Sequence, residues 1–131
     1  MQRARRTAEI AGFGGATITP LLCEFDYGDY EGITSKTIHE RLPGWELFKD
    51  GCPGGESPQQ VYARAQDFIA LAAGAGSRVL AFAHGHILRA VAVAWLDLPI
   101  GAARGFQLDV ATLSLLRDGD HGRVIATWNA L

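Results

Sequence analysis

Residues 79–99 read VLAFAHGHILRAVAVAWLDLP and carry the strongest indication of the chain's architecture. The first five residues are apolar without alternation, which is typical of a strand buried on both faces in a parallel sheet. The residues after His84 are apolar almost all round as far as Pro99, which predicts a buried helix. A buried strand followed by a buried helix indicates an α/β protein.

A second helix is indicated just upstream by its capping residues. Ser57 and Gln60 form an S-x-x-Q capping box, Pro58 suits the first helical position, and Gly74 suits the end. The apolar residues between them recur at helical spacing, so this helix has a face to bury. Two further helices are predicted, over 2–12 and 34–42, with a helical turn at 45–48. An edge strand is predicted over 16–22, and a hairpin is predicted from strands 111–117 and 123–128.

The composition is that of one ordinary globular domain spanning residues 1–131. Hydrophobic residues make up 48% and charged residues 20%, and the net charge of −2 gives no basic field for nucleic acid or an acidic membrane. The longest apolar helical run, from Ile87 to Leu96, contains Arg89 and is too short to cross a bilayer. Cys23 and Cys52 are not a C-x-x-C pair, so we expect free thiols in a reducing cytoplasm.

His84 is the sharpest candidate for chemistry because it follows the predicted buried strand directly. Ligands of open α/β sheets bind at the carboxyl ends of strands, and the free N–H groups of the next helix favour an anion. A structural histidine at a strand end is the alternative. With His86 it also forms H-x-H, but a strand-to-helix switch at Gly85 would separate the two rings, and we expect no metal.

Two groups of acids offer further candidates. Glu56 precedes the Ser57 cap, where a carboxyl can act as a general acid or base or only favour the helix dipole. The loop CEFDYGDYEG is dense in acids and aromatics, yet it lacks the spacing of a calcium loop. We expect its aromatic residues to pin the loop to the core.

Three cations stand where the first helix should begin. Arg3, Arg5 and Arg6 lie near the positive end of the dipole, and no capping residue or first-turn acid precedes them. Either they form a solvated basic face, or an anion sits among them. A guanidinium is well suited to bidentate binding of phosphate.

Together these segments resemble the histidine phosphatase superfamily with its phosphoglycerate-mutase-like fold. QRARRTA resembles the family helix R-A-x-x-T-A, FDYGDYEG the loop G-x-x-E-G, PGGES the proton-donor segment, and FAHGH a strand end with a pocket histidine. The matches follow the family's order and are most similar to the bacterial acid phosphatase branch. The resemblance assigns catalysis to Glu56 and His84, phosphate binding to Arg3 and His84, and substrate contact to the loop residues Glu24, Tyr27, Gly28 and Glu31.

The resemblance also implies a missing part. The family's R-H-G motif, which supplies the nucleophilic histidine, is absent, and His39 and His121 stand in other contexts. We therefore expect a three-layer α/β/α sheet that lacks the family's first two strands and first helix, which would precede Met1.

The implied activity of a complete domain is hydrolysis of phosphate monoesters through a phosphohistidine, without a cofactor. This chain alone is expected to be inactive. One alternative is a non-catalytic phosphate-binding or interaction module, for which a homodimer could cover exposed apolar edges. The other is a phosphoglycerate mutase, which the sequence of the loop disfavours.

Overall fold

The computed structural model of this chain describes residues 2–76 and 78–131. Within those ranges helices dominate, and the only sheet is a two-stranded antiparallel one. The elements are α1 Gln2–Ile10, α2 Ser35–Arg41, α3 Leu47–Asp50, α4 Pro58–Ala75, α5 Gly85–Trp95, β1 Leu113–Gly119 and β2 Gly122–Ala130. Short 3₁₀ turns lie at Pro20–Leu22, Gly28–Tyr30 and Ile100–Gly105.

Helix α4 follows the sequence prediction closely. Ser57 caps it in a capping box: the Ser57 hydroxyl accepts from the Gln60 N–H (3.2 Å), and the Gln60 side chain accepts from the Ser57 N–H (2.8 Å). The predicted apolar stripe faces inward, since Val61, Ala65 and Ile69 are buried. Burying each large side chain stabilises the fold by about 1.5–3 kcal/mol, so the stripe outweighs the cap.

Helix α5 is the centre of the core. It packs against α4 on one side and against the 3₁₀ turn Ile100–Gly105 on another. Ile87 and Val91 are buried on one face of the helix, and Val93 is fully buried on another. This surrounding explains why the sequence is apolar almost all round.

The predicted hairpin is confirmed with shifted ends. Strands β1 and β2 pair antiparallel. The first strand begins two residues later than predicted because Ala111 has a positive φ of 58°, a left-handed conformation that cannot continue a strand. Trp95 Nε1 of α5 donates to the Val124 carbonyl (3.1 Å), which fastens the hairpin to the core.

Two other predicted strands are wrong for the described residues. Within 16–22, Pro20–Leu22 forms a 3₁₀ turn, because Thr19 caps it by accepting from the Leu21 N–H (3.3 Å). Residues 79–83 carry no ladder, and Val79 and Leu80 are 46% and 48% exposed rather than buried. A parallel strand needs a neighbour for its backbone groups, and no described segment supplies one, so the expected three-layer sheet is not formed by these residues.

The loop that contains Gly28 and the loop before Glu56 are held together by backbone contacts. Gly28 has a φ of +49°, and a Cβ there would collide with the backbone of Pro53 and Gly55. The Asp29 N–H donates to the Pro53 carbonyl (2.8 Å), and the Glu56 N–H to that of Asp26 (3.0 Å). Gly54 and Gly55, the glycines before Glu56, thus lie against the neighbouring loop.

Candidate active site

One cavity of about 420 Å³ brings together most of the residues assigned from the sequence. We call it the Arg3–His84 cavity. Its walls are Gln2, Arg3, Glu24, Phe25, Tyr27, Glu31 and His84. Two assigned residues, Gly28 and Glu56, are not among these lining residues. Residues from three separate parts of the chain therefore line one space, and they include a guanidinium, an imidazole and two carboxylates.

His84 presents an unused polar atom to its surroundings. It occupies the position just before α5, and its Nε2 is buried without a hydrogen-bond partner among the described residues. Burial lowers the pKa of the imidazole below its usual 6.5, with Glu24 opposing this and Arg3 reinforcing it. The ring is therefore neutral at neutral pH, and a buried polar atom left unpaired is costly unless a ligand engages it.

The carboxylate of Glu24 occupies the N-terminus of α5. Its Oε1 accepts from the N–H groups of Phe25 and Ile87 (both 3.0 Å), and its Oε2 accepts from that of His86 (3.2 Å). A negative charge is favourable at this end of the helix dipole. The anion that we expected at this helix start is thus a side chain of the protein itself.

Glu56 is held by a residue that the sequence analysis did not single out. Arg64 of α4 donates from Nε to Oε1 and from Nη2 to Oε2, both at 2.8 Å, while the Asp26 N–H donates to Oε2 (2.9 Å). The two side chains are only 17% and 21% exposed. Both carboxylate oxygens of the expected proton donor are therefore engaged away from the Arg3–His84 cavity.

Arg64 also binds the chain segment that carries Glu24. Its Nη1 donates to the carbonyls of Leu21 (2.8 Å) and Cys23 (2.7 Å), and its Nη2 lies 3.4 Å from that of Glu24. We call Arg64 and these acceptors the Arg64 clamp. A signal for it existed in the sequence, because the arginine lies at the border of the apolar stripe of α4.

Tyr27 and His86 form a hydrogen-bonded pair beside Glu24, with the hydroxyl 2.6 Å from Nδ1. Burial raises the pKa of Tyr27, and the carboxylates of Glu24 and Glu31 reinforce the effect, so the hydroxyl keeps its proton. Burial lowers the pKa of His86, with Glu24 opposing this and Arg89 reinforcing it. Tyr27 therefore donates to Nδ1, and the neutral ring carries its proton on Nε2.

The remaining candidate residues have simpler surroundings. In the part of the chain that the structure describes, no group of three His, Cys, Asp or Glu residues could hold a metal. Arg6 pairs with Glu9 on the surface (3.1 Å), so Arg3 alone of the three early arginines lines the cavity. Cys23 and Cys52 are free thiols. No described helix is long and apolar enough to cross a membrane.

Known proteins support the resemblance. The profile of the histidine phosphatase superfamily (branch 1) matches residues 1–131. An acid phosphatase of Mycobacterium tuberculosis (strain ATCC 25618 / H37Rv) is 40% identical over 116 residues, which cover 87% of this chain and 57% of that protein. A sedoheptulose 1,7-bisphosphatase of Saccharomyces cerevisiae (strain ATCC 204508 / S288c) is 34% identical over 96 residues, 60% of this chain and 35% of that protein.

A solved structure agrees with the sequence matches. The product of an open reading frame of Mycobacterium tuberculosis superposes with a TM-score of 0.86 at 37% identity, over 96% of this chain and 68% of that one. The chain thus spans less than two thirds of the curated relatives, yet it shares their phosphoglycerate-mutase-like α/β fold along nearly its whole length. It belongs to branch 1 of the histidine phosphatase superfamily.

Proposed function

We propose that this chain builds part of the active site of a phosphomonoesterase of the histidine acid phosphatase type. The observation that carries the proposal is the Arg3–His84 cavity, which is lined by an arginine and by a histidine whose Nε2 has no partner among the described residues. The 40% identity to an acid phosphatase supports the same activity class. A small phosphorylated compound is the substrate, and no metal or organic cofactor enters the proposed steps.

The proposed roles of Arg3 and His84 are to bind the phosphoryl group. A guanidinium donates two parallel N–H bonds to phosphate oxygens. The His84 ring adds a donor at a position where negative charge grows during transfer, and partial exclusion of water strengthens this interaction.

We propose Glu24, rather than Glu56, as the group that protonates the leaving oxygen. Glu24 lines the Arg3–His84 cavity together with Arg3 and His84. Glu56 is not among the residues that line this cavity. On this proposal Glu56 has a structural role and Glu24 moves the proton.

The nucleophile is proposed to come from an R-H-G segment, which this chain does not contain. Among the described residues that line the Arg3–His84 cavity, His84 is the one histidine, and no R-H-G occurs in the chain. The histidine of such a segment would attack phosphorus and displace the leaving oxygen, which takes its proton from Glu24. Water would then attack the phosphohistidine, give its proton back to Glu24, and release inorganic phosphate.

The test compares this chain with a protein extended upstream to include R-H-G, on an aryl phosphate at acidic pH. We expect release of phosphate only from the longer protein, and a large loss with His84→Ala. Equal activity in both proteins would contradict the proposed origin of the nucleophile. Isomer formation without phosphate release would favour a phosphoglycerate mutase.

A non-catalytic phosphate-binding or interaction module is the second candidate. The exposed apolar side chains of Val79 and Leu80 favour it, because such a surface gains stability when another chain or a homodimer partner covers it. A monomer in analytical ultracentrifugation would count against this module. The free thiols Cys23 and Cys52 support a cytoplasmic location for either candidate.

A further inference from the structure

A second depression adjoins the Arg3–His84 cavity and has no role in the steps above. It has a volume of about 480 Å³, within the range of small-molecule sites. Tyr27 and Glu31 line both spaces, so the two are neighbours across a shared wall. Aromatic rings supply much of the surface, and we call this space the aromatic cleft. Its aromatic lining residues are Tyr27, Tyr30, Trp45 and Phe48, with the imidazoles of His39 and His86.

Two of these rings form a fixed corner. The centroids of Tyr30 and Trp45 lie 5.6 Å apart at an interplanar angle of 85°, an edge-to-face arrangement. The indole Nε1 of Trp45 donates to the Gly51 carbonyl (2.9 Å), and Nε2 of His39 donates to the Trp45 carbonyl (2.9 Å). A flat ring entering this corner can stack on one face and meet the edge of the other. Little side-chain entropy is lost, because the indole is already held.

The charges of the aromatic cleft disfavour a second anionic group. Its one arginine, Arg89, donates from Nε to the Ala103 carbonyl (2.9 Å) and lies 4.9 Å from the centroid of the Phe48 ring, so it is already engaged. Two carboxylates, Glu31 and Glu46, line the same space. The net charge of these groups is therefore negative, and a distal phosphate there would meet repulsion.

From the shared wall, the ring corner and this charge balance, we infer that the aromatic cleft binds the leaving group of the substrate and selects uncharged aromatic groups. The inference rests on the proposed function, since the phosphoryl group must occupy the Arg3–His84 cavity. The preferred substrates are then aryl or arylalkyl phosphate monoesters, and bisphosphates are disfavoured.

The test measures binding to the chain by isothermal titration calorimetry, with phosphonates that cannot be hydrolysed. The probes are methylphosphonate, benzylphosphonate and propane-1,3-bisphosphonate. We expect benzylphosphonate to bind at least about tenfold more tightly than methylphosphonate, because the ring buries apolar area and makes aromatic contacts. The bisphosphonate should gain nothing over methylphosphonate. Trp45→Ala should remove the benzyl advantage and leave methylphosphonate binding unchanged, and Tyr30→Leu provides a second variant if the indole is needed for folding.

The outcomes separate the two proposals. If methylphosphonate binds but the benzyl group adds nothing, or if the bisphosphonate binds best, the cleft assignment is overturned while the phosphate cavity stands. Equal weakening of both monophosphonates by Trp45→Ala and by Tyr30→Leu would also overturn it. If no phosphonate binds to the folded chain, the proposed function fails and the leaving-group assignment fails with it.

Discussion

Replacing Arg64 with alanine is expected to destabilise the folded chain by about 3 kcal/mol, the cost typical of leaving one partner of a buried ion pair alone. The substitution removes the bidentate bonds to Glu56 and leaves the carbonyls of Leu21 and Cys23 without their hydrogen-bond donor. Each of these groups is part-buried, so water compensates only in part. Urea denaturation at neutral pH, followed by circular dichroism, gives the free energy of unfolding directly.

The chain provides a matched control for the Arg64 clamp. Arg6 also pairs with a glutamate, Glu9, but both side chains are exposed, at 72% and 44%. Arg6→Ala is therefore expected to change the free energy of unfolding by less than about 0.5 kcal/mol. The destabilisation caused by Arg64→Lys should fall between those two values, because lysine keeps the positive charge but cannot donate two parallel bonds to the carboxylate. If Arg64→Ala were no more destabilising than Arg6→Ala, the clamp would have no structural role.

Glu24→Gln should lower kcat by about 100-fold or more on an alkyl phosphate in the upstream-extended protein, as expected for loss of a general acid. On 4-nitrophenyl phosphate the loss should be much smaller, because the nitrophenolate leaves without a proton. Glutamine keeps an oxygen for the N–H groups of Phe25 and Ile87 and loses only the acceptor for that of His86. Steady-state kinetics on the two substrates checks the result.

Two further glutamates serve as comparisons for Glu24. Glu31→Gln alters the other carboxyl of the Arg3–His84 cavity, and Glu56→Gln alters the partner of Arg64. Neither should show the dependence on leaving group, although Glu56→Gln should lower the free energy of unfolding. A dependence on leaving group that follows Glu56→Gln and not Glu24→Gln would return the acid role to Glu56.

The sequence predicted the elements whose signals are local and missed the features that depend on partners. The capping box and stripe of α4 are complete within the segment, so that helix was predicted correctly. The apolar run at residues 79–83 indicates burial. A strand forms only beside another strand, however, and the hydrophobicity of a segment does not identify its partner. The apolar sequence of α5 therefore predicted its burial correctly, whereas the apolar sequence of Val79 and Leu80 predicted burial and both residues are exposed.

The site follows the same rule. Arg3 and His84 lie in segments that resemble family motifs, and both residues line one cavity. The roles of Glu24 and Glu56 depended instead on what binds each carboxyl. Arg64, eight residues beyond Glu56, binds both oxygens of that carboxyl through contacts that no short motif contains.

The decisive measurement is an NMR titration of the His84 imidazole in this chain, with and without inorganic phosphate. Burial lowers the pKa of His84 below 6.5 in the free protein. A bound phosphate anion favours the protonated ring, so phosphate should raise that pKa, and binding should tighten as the pH falls toward it. Arg3→Ala should weaken binding at least about tenfold by removing charge-assisted bonds, while Arg5→Ala should not. A His84 pKa that is the same with and without phosphate, in a folded chain, would contradict a shared phosphoryl site for Arg3 and His84.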